Sequence, residues 1–248
     1  MSEYHIKGLT YPDLNLSYMA CYLGAARYLG YGGSDAWLYG ACGLAFFSHA
    51  IAGEVCYSYP SDWDAGPTLE LLKNSGIEAS RVPVSTDAED PKAAEIDAVK
   101  ELLRSDVPVF AFSTVVWENV LVAGWSVTDQ GESLDYLFLP GNGQTKKPLH
   151  PWSELHGPWA FRTCEPADAR ATIREALAFA VEMADSPQKS AGDDRHVMSY
   201  QAFLSTANWL EKLPDTEKRF ERVEGRATPI EHNIRVCDEA RRHAVDFL

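Results

Sequence analysis

The sequence predicts an α+β protein on three observations: helical hydrophobic periods up to about residue 105, closely spaced β-rich runs from Val107 to Thr163, and helical periods again beyond Pro166. Its 248 residues make about one and a half average domains, so the division expected is a core over 1–166 with a helical region over 167–248. Tyr22, Ala25, Ala26 and Leu29 recur at helical spacing, with Ser17 or a neighbour placed to cap and Gly30-Tyr-Gly-Gly33 to stop the helix. Ser34-Asp35 open a short helix through Trp37 and Tyr39, and the apolar stretch from Gly43 to His49 reads as a buried strand. Asp64-Ala-Gly-Pro67 begins a helix over 68–74 that Gly76 closes, ahead of a short strand through Val82 and Val84. Pro91 opens an amphipathic helix whose stripe is Ala94, Ile96, Val99, Leu102 and Leu103, ending near Ser105.

From Val107 the periodicity changes. Residues 107–112, 120–123, 136–139, 144–150 and 159–163 are strand candidates separated by Gly or Asp turns, which predicts an antiparallel sheet. The tail carries helical periods over 170–183, 196–213 and 230–248, with an exposed linker at 185–194. Isolated helices are marginal, so the aromatic stripe Phe179, Phe203, Trp209, Phe220 and Phe247 must be covered, by the sheet domain or by a second copy in a homodimer.

Composition narrows the function classes. With 22 Lys plus Arg against 36 Asp plus Glu the net charge is −14, a field that repels nucleic acid and anionic bilayers and favours amine-bearing or cationic ligands. The longest apolar runs, 41–52 and 107–116, fall short of the roughly 20 residues a bilayer span needs. The N-terminus lacks the pattern of a secretion signal, so the cytoplasm is the expected compartment. Five cysteines without a Cys-x-x-Cys pair fit neither a disulfide framework nor a zinc site and read as free thiols. The glycine-rich pieces 30–33 and 141–143 match no nucleotide-binding fingerprint, so no cofactor or metal is expected.

Cys21 is the first chemical candidate. Near a helix start, unpaired backbone N–H groups and the helix dipole lower a thiol's pKa toward the attacking thiolate; the alternative is a small buried hydrophobe. A nucleophilic Cys needs a base, and His5, His49, His150 and His156 are the histidines of the expected core domain, none marked by its spacing. Asp62 and Asp64 with Trp63 form a polar and aromatic cluster suited to a cationic substrate, with helix capping by Asp64 as the plainer alternative. Trp117, Trp125, Trp152 and Trp159 either wall a cleft or pack the sheet.

The stretch Met19-Ala-Cys21-Tyr-Leu-Gly-Ala-Ala-Arg-Tyr-Leu-Gly30, with Trp37-Leu-Tyr-Gly40, Gly43-Leu-Ala-Phe46, Val107-Pro-Val-Phe, Val120-Leu-Val-Ala-Gly-Trp125 and the helical tail, resembles the butirosin biosynthesis protein H-like family. That resemblance implies a papain-like, C39-peptidase-like cysteine-peptidase fold with a C-terminal helical appendage. It implies Cys21 as a nucleophile in acyl transfer, or in amide or thioester hydrolysis, on a small-molecule or acyl-carrier substrate bearing an amine. The sequence departs from the pattern at two of the three catalytic positions: the expected histidine falls on Glu118 and the third member on Leu139. A carboxylate beside a thiol disfavours the thiolate. Glu118 is therefore either a general acid or base, or the anchor of a substrate amine with Trp117 and Asn119 beside it, or a solvated strand-edge carboxylate. The opposing class is a non-catalytic small-molecule or peptide binding protein on a lapsed papain-like fold.

Overall fold

A computed structural model describes residues 2–46, 49–51, 65–83, 88–114, 116, 118–129, 131–138, 145–150, 152–185, 196–198 and 229–248. It mixes helices with an antiparallel sheet, the α+β class expected. Two compact units emerge, and they are not divided by a single cut at residue 167. The first holds residues 1–32 and 77–164, the second 33–76 and 165–248. Residues 33–76 group with the tail because their helices pack on the tail's helices.

In the first unit, α1 (Ser17–Tyr28) is buried on nearly all sides and lies on β5 (Glu118–Thr128). Gly24 permits that approach, since a Cβ there would sit 2.7 Å from Leu121 Cδ1. Tyr22 meets Phe110 edge-on at 5.7 Å and Phe161 at 5.8 Å, geometries that aromatic quadrupoles favour. The expected Ser17 cap is not formed. Leu16 occupies the N-cap position without a side-chain bond, and Ser17 is the first helical residue.

The sheet runs β3 (Ile77–Arg81), β8 (Leu155–Thr163), β4 (Val109–Ser113), β5, β6 (Gly131–Phe138), β7 (Thr145–His150), all antiparallel. A strand that periodicity did not reveal, β1 (Ser2–His5), pairs with β5 from Gly124 to Val127, beyond the stretch paired with β4. The strand expected through Val82 and Val84 forms earlier, over Ile77–Arg81, where Gly76 with φ +85 turns the chain out of the preceding helix. Asp90 caps α4 (Pro91–Arg104), accepting from the N–H groups of Lys92 and Ala93 at 3.0 Å each. Lys100 of α4 lies over Trp125 and Trp152 at 5.6 and 5.9 Å, and both indoles are buried. These two tryptophans pack the sheet.

The second unit begins with α2 (Asp35–Ala41), whose N-cap Ser34 accepts from Trp37 N–H at 3.0 Å. The strand expected from Gly43 to His49 does not form over Gly43–Phe46. Gly43 adopts φ +81, and Gly43 N–H and Ala45 N–H bond back to Gly40 and Tyr39 carbonyls, so the apolar run is a turn. β2 (His49–Ile51) pairs antiparallel with β9 (His196–Met198), a strand at the start of the expected 196–213 helix; the rest of that helix lies outside the described residues. Next come α3 (Gly66–Leu72), α5 (Ala169–Asp185) and α6 (Pro229–Phe247). Helix α2 packs on α5 and α6: Phe247 stands 5.2 Å from Trp37, Tyr39 donates to Glu239, and the His243 ring stacks on Tyr39 at 4.5 Å. Phe179 and Phe247 of the aromatic stripe are thus covered within the chain's own second unit. Among the described residues no helix is long and apolar enough to cross a membrane.

Candidate functional site

Three elements of the first unit bring Cys21, Glu118 and Asn119 together with a residue the sequence did not single out, Tyr11. Glu118 and Asn119 open β5, opposite Ser113 and Phe112 of β4. Asn119 is buried; its Nδ2 donates to Ser17 Oγ at 3.2 Å, tying the strand to the first turn of α1. The hydroxyl of Tyr11, in the segment leading into α1, donates to the Asn119 carbonyl at 3.1 Å and also hydrogen-bonds with Cys21. Glu118 is half-buried and its charge acts on both Cys21 and Tyr11.

The electrostatics overturn the depressed thiol pKa expected at a helix start. Cys21 has 0 % exposure, and burial is the largest cause pushing its thiol well above the ordinary value; the Glu118 carboxylate adds to the rise, while the Tyr11 hydrogen bond opposes it. Its position in α1 offers little help. Cys21 is the fifth helical residue, past the first turn whose free N–H groups would support a thiolate. Burial likewise holds the Tyr11 phenol up, reinforced by Cys21 and Glu118. The arrangement is a protonated thiol that exchanges a hydrogen bond with a protonated phenol, beside a carboxylate.

Among the described residues, the side chains acting on the Cys21 thiol are Glu118 and Tyr11, and no imidazole is one of them. His5 Nδ1 stands 3.2 Å from Asp135 Oδ2, His49 lies on β2 of the second unit, and His156 is exposed on β8. The strand holding His150 does not fold back over α1. It is the terminal strand of the sheet, with His150 paired in register to Leu134 of β6. Asp62, Trp63, Trp117 and Leu139 lie outside the described residues, as does Asp64. No known family, characterised protein or solved structure matches this chain. Chemically, the Cys21 cluster suits hydrogen bonding better than nucleophilic attack. Sequence held one faint signal for Tyr11: a bulky aromatic just ahead of Pro12 in the approach to the first helix.

Proposed function

We propose that the chain is a divergent papain-like protein of the butirosin biosynthesis protein H-like kind, whose Cys21–Glu118 site retains a small amine-bearing molecule without thiol chemistry. The observation that carries this reading is the Glu118 carboxylate beside a fully buried thiol, at the position where the resemblance implies a histidine. An imidazolium would stabilise a thiolate, whereas a carboxylate raises the cost of forming one. A half-buried carboxylate at the head of a strand can instead accept a charge-assisted hydrogen bond from an ammonium. The papain-like assignment draws support from the cysteine-bearing α1 lying on an antiparallel sheet, and the net charge of −14 favours cationic ligands.

The test combines labelling with binding. In native protein at pH 7, iodoacetamide should leave Cys21 unlabelled by peptide mass spectrometry, and calorimetry should find saturable putrescine or spermidine binding that Glu118→Gln removes. Alkylation of Cys21 ahead of the other four cysteines overturns the reading. One observation favours the catalytic alternative, cysteine-dependent acyl transfer or hydrolysis: the Tyr11 hydrogen bond favours the thiolate. Rapid Cys21 alkylation with a depressed midpoint is the result that reading requires.

A further inference from the structure

We propose that residues 2–16 form a strap over the Cys21 cluster, and that release of this strap from β5 is the motion that opens the cluster to a small molecule. Closed, the cluster is sealed: Cys21 has 0 % exposure, and Tyr11, its hydrogen-bond partner, has 1 %. A solute that reaches the thiol must displace one of the elements around it. The helix and the sheet are firmly held, since α1 is buried on nearly all sides and β5 is paired with both β4 and β6. The strap is held least. β1 has four residues and, among the described residues, one strand neighbour, β5. Beyond β1 the strap makes one main-chain bond to the sheet's main chain among the described residues, from Ile6 N–H to the Ala123 carbonyl at 2.9 Å. Short, singly paired segments of this kind lie at the low end of local stability. The strap meets α1 beside the cluster: Gly24, three residues on from Cys21, leaves room for the Thr10 carbonyl, and a Cβ there would also lie 3.2 Å from Pro12 Cδ.

Two catches hold β1, one on each face of the sheet, since successive residues of a strand point to opposite faces. On one face the Tyr4 hydroxyl donates to Asp106 Oδ1 at 2.7 Å, and Tyr28 at the end of α1 bonds the same carboxylate. Asp106 is the one non-glycine residue with positive φ among the described residues, at +55°. A residue of this kind keeps that conformation where its surroundings over-determine it, and such outliers gather at clamps and switches. On the other face the His5 imidazole crosses Gly124 to reach Asp135 of β6, with Nδ1 3.2 Å from Oδ2. That crossing requires glycine, because a Cβ at residue 124 would lie 2.5 Å from His5 Nδ1. Neither catch includes a residue of the Cys21 cluster, so each can be removed without altering it. Opening exposes Ile6, Leu9 and Tyr11, which are buried in the closed form, so the open form is a minor population whose size the catches set. Tyr11 leaves with the strap, and its bonds to Cys21 and to the Asn119 carbonyl go with it. That the admitted molecule is an amine rests on the binding role proposed above for Glu118; the strap itself does not.

The experiment follows slow alkylation of the full chain by N-ethylmaleimide at pH 8, resolved cysteine by cysteine by peptide mass spectrometry, with amide hydrogen exchange in parallel. Cys42, equally buried but in the second unit, is the internal reference. Tyr4→Phe and His5→Gln should each raise the Cys21 rate about fivefold, as the loss of one polar contact predicts, and leave the Cys42 rate unchanged. Amides of residues 2–12 should gain exchange in both variants, while those of β4 and of residues 120–122 keep their protection. A lock should act in the opposite direction. Ile6 and Ala123 are a hydrogen-bonded pair, so Glu3 and Ser126 face each other as a non-hydrogen-bonded pair, about 4.5 Å apart between Cα atoms and within reach of a disulfide. The oxidised double variant, Glu3→Cys with Ser126→Cys, should slow Cys21 alkylation about fivefold or more, and reduction should restore it. Cys21 and Cys42 rates that rise together, or β4 amides that open with β1, make the event global and overturn the strap. A Cys21 rate that neither catch variant raises, or that the lock leaves unchanged, overturns it too. In a separate arm the heat of putrescine binding should develop more slowly in the oxidised lock, and equal uptake by locked and reduced protein overturns the gate. A parent that binds no putrescine refutes the Glu118 reading alone, since the thiol rates still decide the strap.

Discussion

Replacing Cys21 by alanine should flatten the alkaline limb of the stability curve. The folded pKa of this thiol is raised above its unfolded value, chiefly by burial and then by Glu118. The stabilisation is therefore fully present below the ordinary thiol pKa of 9.0 and lost as pH rises above it. At pH 10 the unfolded thiol is ionised about tenfold over its neutral form while the native thiol stays protonated, so unfolding gains about 1.4 kcal/mol relative to pH 7. Cys42 in the second unit behaves alike: burial pushes it up to about 12. The two thiols together predict a loss of about 3 kcal/mol between pH 7 and pH 10, to which the buried phenols of Tyr11 and Tyr39 add. Both thiols have 0 % exposure, so solvent screening does not reduce the figure. Urea denaturation at the two pH values, under reductant, measures it. Cys21→Ala pays a cavity cost of similar size at both pH values, so the difference isolates the titration. A variant that loses as much stability as the parent would falsify the protonated-thiol argument, since the native thiol would then ionise as freely as the unfolded one.

Three further outcomes are expected. Gly40→Ala places a Cβ within 2.5 Å of three ring carbons of Phe247, so overpacking of about 1–3 kcal/mol should outweigh the roughly 1 kcal/mol that alanine gains over glycine in a helix; in a Phe247→Ala background the same change should stabilise, and thermal melts that show one sign in both backgrounds would refute the contact. Asp90→Ala removes two capping hydrogen bonds at the start of α4 and should cost about 1 kcal/mol by urea denaturation, with Asp90→Asn recovering most of it. Glu118→Gln deletes the second cause of the raised Cys21 pKa, so the pH midpoint for Cys21 alkylation should move down while burial still holds it above the ordinary thiol value; an unmoved midpoint would separate the two residues electrostatically.

What the sequence made legible was local. Asp90-Pro91, Ser34 and Gly76 each carry their instruction in two or three residues, and each cap or stop forms where the chemistry places it. Cys21 was marked by its place near a helix start and Glu118 by the family resemblance, and the structure brings them within electrostatic reach. Features set by distant pairing were silent. The bond from Tyr11 to Asn119 spans 108 residues, and β1 has no periodicity that announces β5 as its partner. The run from Gly43 was misread because apolar composition is common to buried strands and buried turns, and only the left-handed glycine separates them. The same limit hid the second unit, since nothing in residues 33–76 says that their partners lie beyond residue 165.

The discontinuity of that unit has a consequence for the newborn chain. Tyr39 leaves the ribosome 200 residues before Glu239, its hydrogen-bond partner on the last helix. At about 5–20 residues per second, the face of α2 that carries Trp37 and Tyr39 stands without that cover for about 10–40 s of synthesis. Such an interval far exceeds the microseconds in which small chains collapse. The first unit meanwhile has all its strands, the last ending at Thr163, so it can close around α1 while residues 33–76 still wait. Holdase chaperones that recognise exposed aromatics would meet this chain at α2, and slowing translation ahead of residue 229 would lengthen that encounter.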